Sequence, residues 1–309
     1  MRALLSIVLT LAAVSLVAAC GGGGVNNGVT PVPFTSFGAV KSGQPVQANG
    51  ISQTVTATTT GLGVVTATNI NAVDKSNSIA TLTYGSMPAI SSFSFTTPAS
   101  SVSFMGTNVL CPGSGPSGTC TGSDSTTPYA TVQNPLSPPS SALAFNYQSF
   151  GYWLVITSGT SRIAGAISFG NPTPVASVPL GGTGIYNGRS AGTYIDTTGA
   201  VFQETATMSS TVDFATRSVA FSTSATKLNT TISADTLNLT GSFTWVMGSN
   251  QFSGTVTSPV GVVGTLATPA MAGTAVGQFY GPGALEIGGV YSLRGTGTQT
   301  RLGAFGGKQ

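Results

Sequence analysis

Reactive side chains are scarce in this chain. Its 309 residues hold seven carboxylates (Asp74, Asp124, Asp196, Glu204, Asp213, Asp235 and Glu286), three cysteines (Cys20, Cys111 and Cys120) and no histidine. Without His, the commonest general base and metal ligand are missing, and so is every Ser-His or Cys-His nucleophile pair. The acids are dispersed, so a glycosidase-type pair would have to be assembled by the fold. Haem or iron would have to be held by Tyr or Met. No nucleophile elbow, phosphate-binding loop or H-E-x-x-H stretch is present. Gly182-Thr183-Gly184 is a glycine pair in a strand pattern rather than a dinucleotide loop. The ten basic residues form no cluster, which argues against nucleic acid. These residues predict no enzyme, no cofactor and no metal.

The cysteines offer different chemistry. Met1-Arg2 is followed by an uncharged stretch over residues 3–19, then Cys20 and Gly21 to Gly24. Val17-Ala18-Ala19-Cys20 is similar to a bacterial lipobox, in which the Cys becomes the lipidated first residue of the mature chain. An ordinary signal peptide or an anchor helix ending in Cys are the other readings. The glycine run favours the lipobox, being poor helix and good tether. Gly21 after the Cys favours passage to the outer membrane. Residues 20–35 read as a tether spanning roughly 20 Å. Losing Arg2 with the leader leaves nine bases against seven acids. Cys111 and Cys120 flank a Gly/Pro loop and, in an oxidising compartment, read as a disulfide, since no further thiol or His completes a zinc site.

Period-2 alternation must position these residues, because helical periodicity is almost absent. Met208, Ser210, Val212 and Phe214 share one phase, Val219 and Phe221 another, then Phe243, Trp245 and Met247, then Phe252, Gly254 and Val256. Charged residues are only 6% of the chain, while 40% are apolar and 42 are Gly. Short strands punctuated by Gly, Asn and Asp predict an all-β sandwich or barrel. A Pro-rich crossing at 171–181 divides the chain into 36–175 and 181–309. Within the first part, the Pro-rich stretch 107–141 reads as surface loop.

Several residues in the second part carry a family resemblance. They are Gly182-Thr183-Gly184-Ile185-Tyr186-Asn187-Gly188, then Ser210-Thr211-Val212-Asp213-Phe214 with Val219-Ala220-Phe221. Gly277-Gln278-Phe279-Tyr280-Gly281-Pro282 and Ala284-Leu285-Glu286-Ile287-Gly288-Gly289-Val290-Tyr291 follow, and the chain ends on Gly303-Ala304-Phe305-Gly306-Gly307-Lys308. This set resembles the β-barrel domain of transferrin-binding protein B and its relatives, the surface lipoproteins that include factor H binding protein. Phe150-Gly151-Tyr152-Trp153 and Gly165-Ala166-Ile167-Ser168-Phe169-Gly170 resemble the end of that family's handle domain. The resemblance implies an N-terminal handle-like β domain followed by an eight-stranded antiparallel barrel, in a single lobe.

It also implies a non-catalytic, monomeric lipoprotein on the cell surface, tied to the membrane by its lipid. The partner would be a host protein or iron-carrier ligand bound through surface loops; an adhesin or structural envelope role is the alternative. A periplasmic orientation stays open. Glu286 reads as a hydrogen-bond acceptor tightening its own hairpin, and Gly288-Gly289 as the point where the closing sheet coils. Tyr147, Phe150, Tyr152 and Trp153 read either as a binding surface or, better, as packing between the two domains. Asn229-Thr230-Thr231 and Asn238-Leu239-Thr240 match a glycosylation sequon but read as turn residues.

Overall fold

A computed structural model describes residues 30–111, 118–134, 136, 144–263 and 266–309. Cys20 and the uncharged stretch before it, read above as a leader, lie outside the described residues. Among those described, regular structure is β-strand apart from five three-residue 3-10 turns. The protein is all-β, with a closed eight-stranded barrel following a first, nearly closed sheet.

The first sheet contains β1 (Val32–Pro33), β2 (Val46–Thr59), β3 (Val65–Ile70), β4 (Asp74–Tyr84), β5 (Ile90–Thr96) and β6 (Ser101–Met105). It continues with β7 (Val109–Leu110), β8 (Thr119–Gly122), β9 (Tyr129–Gln133), β10 (Gln148–Ser158) and β11 (Ser161–Gly170). The order is β6-β5-β4-β2-β11-β10-β9-β8-β7, with β1 and β3 on β2. The sheet curls until β7 meets β5, around a core of Phe93, Phe95, Phe104, Trp153 and Phe169.

Two features of this sheet differ from the sequence reading. Residues 30–35 are not all tether: Val32–Pro33 pair in parallel with Val46–Gln47, and Phe34 is buried. Apolar Val and Phe make that docking favourable, and Pro is tolerated because β1 is short and at the edge. The stretch 107–141 is not all surface loop, since β7, β8 and β9 lie within it and Cys120, Ala130 and Val132 are fully buried. The alternation of these short strands is masked by the Pro- and Ser-rich segments between them. Pro128, for one, stands just outside the ladder, immediately before β9. Cys111 and Cys120 are bonded to each other across the start of this region.

The barrel runs β12 (Thr183–Ile195), β13 (Val201–Asp213), β14 (Ser218–Leu228), β15 (Ile232–Ser233), β16 (Thr240–Thr244) and β17 (Gln251–Ser258). After a separate hairpin, β18 (Gly261–Val263) and β19 (Leu266–Thr268), come β20 (Met271–Tyr280), β21 (Glu286–Arg294) and β22 (Thr300–Lys308). Neighbours pair antiparallel throughout, β13 with β14 at one seam and β12 with β22 at another. Apart from the short β15 and the separate β18–β19 hairpin, these eight strands form a closed ring that leaves no free edge.

Inward positions carry the rings that fill the lumen, among them Tyr186, Tyr194, Phe221, Phe243, Phe252, Phe279, Tyr291 and Phe305. Phe221 and Phe305 lie 4.9 Å apart, Phe252 and Phe279 5.4 Å. Inward glycines make the space: a Cβ at Gly303 would strike the Tyr291 hydroxyl. Ala234, Leu237 and Leu239 pack into the same core from the segment after β15, closing the far mouth. The alternation fails once. Phe243 and Trp245 are buried but Met247 is exposed, because β16 ends at Thr244 and the chain turns away there.

Candidate functional site

The junction between the two sheets is the most heavily built region. Strand β10 begins at Gln148, so the backbone just before it has N–H groups that no ladder uses. Three of these, from Asn146, Tyr147 and Gln148, donate to the Glu286 carboxylate at 2.5, 2.9 and 2.9 Å. Glu286 therefore does not tighten its own hairpin; it fastens the barrel to the N-terminal sheet. The cause is position, since Glu286 opens β21 directly beneath that strand start. Burial pushes its carboxyl up to about 7, against the downward pull of the three N–H groups and Lys308.

Around this bond the barrel wall is paved with glycine. A Cβ at Gly306 would strike the Gln148 amide, and one at Gly288 would crowd Ser168 and Gln148. Gly288 thus serves domain contact rather than coiling alone. Gly281, at φ 73, lies under the Tyr147 ring, where any side chain would collide. Ser168 and the Tyr280 hydroxyl lie within hydrogen-bond reach at 2.9 Å. Phe150 and Tyr152 pack with Val276, Val290, Leu302 and Ala304 of the barrel. Trp153, next in sequence, points the other way into the first sheet. The aromatic cluster is therefore split by strand alternation, with its junction members buried rather than offered to a ligand. A cleft beside Phe150, Tyr152 and Arg189 encloses about 30 Å³, little more than one water.

The barrel lumen holds the second charged feature, which sequence reasoning missed. Arg301 donates to Glu204 at 2.5 Å, both fully buried. It also donates to the Leu237 carbonyl in the closing segment. The Tyr291 hydroxyl approaches Glu204 at 3.3 Å and Ser190 at 2.8 Å. Burial works against the Arg301 charge, but Glu204 beside it outweighs that and holds the guanidinium above its ordinary value. A signal existed: Glu204 is in phase with Met208, and Arg301 with Phe305, so both charges fall on inward positions.

The other acids cap turns or sit on the surface. Asp74 accepts from Asn77 and Ser78, Asp124 from Thr126 and Thr127, Asp196 from Thr198 and Ala200, and Asp213 from Ala215 and Thr216. Asp235 is exposed. Asn229, at φ 46, occupies a turn and accepts from the Gln203 N–H, while Asn238 accepts from Thr226.

A concave apolar surface lies at the barrel mouth where the 171–181 crossing enters. Val175, Val178, Pro179, Leu180, Phe214, Trp245 and Met247 line a groove enclosing about 110 Å³, and Arg217 is the charged residue in its wall. The sequence reading named no ligand-binding residue. This groove depends on three separate loops converging, which linear spacing does not reveal.

Residues 178–309 match the family described as the C-lobe and N-lobe β-barrels of transferrin-binding protein B. Among solved structures, the chain is similar to transferrin-binding protein B from serogroup B Neisseria meningitidis, at 17% identity and TM-score 0.46 over 84% of this chain and 43% of that one. It is similar to a mutant form from Haemophilus parasuis Hp5, at 17% identity and TM-score 0.45 over 76% and 52%. It therefore spans about half the length of these solved chains. No curated protein matches. The C-terminal barrel of this chain, residues 178–309, is thus similar to the β-barrels of the transferrin-binding protein B lobes.

Proposed function

We propose that the protein is a non-catalytic, lipid-anchored outer-membrane lipoprotein that presents its loops to a host protein or iron-carrier ligand. The observation that carries this reading is the family match of the barrel, residues 178–309. Family members by that description belong to a transferrin-binding protein, so an iron-carrying protein is the first ligand to test. The rigid junction supports it, because a binding surface spread over two sheets needs them held in fixed register. In this reading Cys20 carries the lipid, and the Cys111–Cys120 bond forms in the oxidising space beyond the inner membrane.

The test is capture of iron carriers, including transferrin, by the purified protein and by iron-starved cells that display it. Saturable binding, lost when the gene is deleted, is the expected result. No saturable binding to any carrier, with attachment or serum sensitivity altered in the deletion strain, would instead establish an adhesive or structural role. Cys20→Ala is expected to release the protein from membranes or block its processing; unchanged membrane fractionation sinks the anchor.

A further inference from the structure

We propose that the barrel mouth bearing the groove rests on an anionic lipid surface, with Leu180, Val246 and Met247 entering the acyl boundary and Arg217 meeting a lipid phosphate. This rests on the lipid-anchored reading above and adds a second, non-covalent contact to it.

The three apolar side chains are among the most exposed large hydrophobics of the described residues, at 84%, 73% and 73%. They stand on two neighbouring protrusions, Leu180 on the crossing and Val246 with Met247 in the turn after β16, on either side of the groove. Protruding apolar tips beside a cation suit insertion into a headgroup layer, and Trp245 in the groove wall has the amphipathic ring favoured at such a boundary. Arg217 has no carboxylate partner among the described residues, where the ion pair is Arg301–Glu204. Its nearest acid in sequence, Asp213, is occupied by the N–H groups of Ala215 and Thr216. The groove thus offers one positive charge in an apolar wall, complementary to an acyl chain ending in phosphate.

The N-terminal chain selects the membrane over other partners. Asn171, which opens the crossing, donates its side-chain amide to the Thr35 carbonyl at 2.9 Å, and the Phe37 N–H donates to Asn146. The described chain therefore begins, at Thr30, on the same end of the molecule as the groove. Cys20 stands ten positions before Thr30 in the sequence, so the two are at most roughly 33–36 Å of chain apart. A lipid on Cys20 would hold this end close to the bilayer. The opposite mouth also exposes Val260 and Val262, but lies a barrel length away, roughly 30 Å for tilted strands of this size.

The experiment couples the mature chain, starting at Cys20, through that thiol to a maleimide lipid, and reads Trp245 fluorescence in a Trp153→Phe background. Vesicles contain phosphatidylethanolamine and phosphatidylglycerol with brominated acyl chains. The expected result is quenching of Trp245 that falls when phosphatidylcholine replaces phosphatidylglycerol. With the thiol blocked and no tether, Leu180→Ser with Met247→Ser is expected to weaken vesicle binding roughly tenfold. Arg217→Gln should remove the preference for phosphatidylglycerol, while Val262→Ser changes nothing. No quenching in the tethered wild type, or equal losses from Val262→Ser, overturns the proposal. Because the tether is chemical, a Cys20 found unlipidated in cells would defeat the anchor reading without altering this readout.

Discussion

The barrel lumen and the junction with the N-terminal sheet each bury one glutamate, and they satisfy it by different means. In the lumen the strands around Glu204 are paired with one another, so its carboxylate is met by side chains, and Arg301 supplies the counter-charge. At the junction, the start of β10 leaves three backbone N–H groups free, and Glu286 takes all three. One solution is a charge pair in the packed lumen; the other is a carboxyl in a cup of backbone dipoles. The difference lies in what the local backbone has left to offer. It also separates roles: the lumen pair ties β13 and β22 to the closing segment at Leu237, while the junction carboxyl ties one sheet to the other.

Breaking the lumen pair should have the largest effect. Arg301→Met leaves Glu204 buried without its counter-charge, a loss of about 3–5 kcal/mol for pairs of this kind. Replacing both, Glu204→Met with Arg301→Met, should recover most of that loss, because apolar residues of similar volume remove the desolvation of both ions. Urea unfolding of the two single variants and the double one gives the cycle. A double variant no more stable than Arg301→Met would mean that the pair is not the reason for the loss.

The junction carboxyl sharpens the comparison through pH. Its value of about 7 in the folded protein lies above the 4.5 of an ordinary Glu. Between those values the folded state holds a proton that the unfolded state has released. Stability from this group is therefore complete below pH 4.5, falls as pH rises towards 7, and is level above it. The shift corresponds to about 3 kcal/mol across that window. Glu286→Gln should lack the fall, so the gap in stability between variant and wild type moves in favour of the variant as pH rises. A wild type that instead gains stability relative to the variant over pH 4.5–7 would mean that the three N–H groups outweigh burial.

Much of this architecture is legible in the sequence, and the illegible parts have physical causes. Period 2 identifies the barrel strands because each has one face in the lumen and one outside, and inward Phe and Tyr alternate with small polar residues. The same rule hides β7, β8 and β9, which are too short to show a period between proline-rich segments. Gly288 and Gly289 are adjacent and look equivalent, yet alternation sends Gly288 to Ser168 and Gln148 of the other sheet and Gly289 towards Phe305. The partner of Glu286 lies 138–140 residues away, beyond any local motif. The groove at Arg217 and Leu180 is assembled by three loops and has no linear signature. Charge phase was the usable clue, and it points to Glu204 and Arg301.

The smallest effects should come from glycine, and they test whether the wall of the barrel or the junction is less forgiving. At Gly192 in β12 a Cβ would collide with the Leu302 carbonyl and the Gly303 Cα, backbone atoms of the adjacent strand that cannot move without parting the ladder. At Gly306 the obstacle is the end of the Gln148 side chain, whose amide has no hydrogen-bond partner among the described residues to hold it. Gly192→Ala should therefore cost about 2–3 kcal/mol and Gly306→Ala about 1 kcal/mol, within the usual range for overpacking. Thermal unfolding of both variants checks the order. If Gly306→Ala proves the more damaging, Gln148 is held in place as firmly as backbone, and the junction is as tightly packed as the barrel itself.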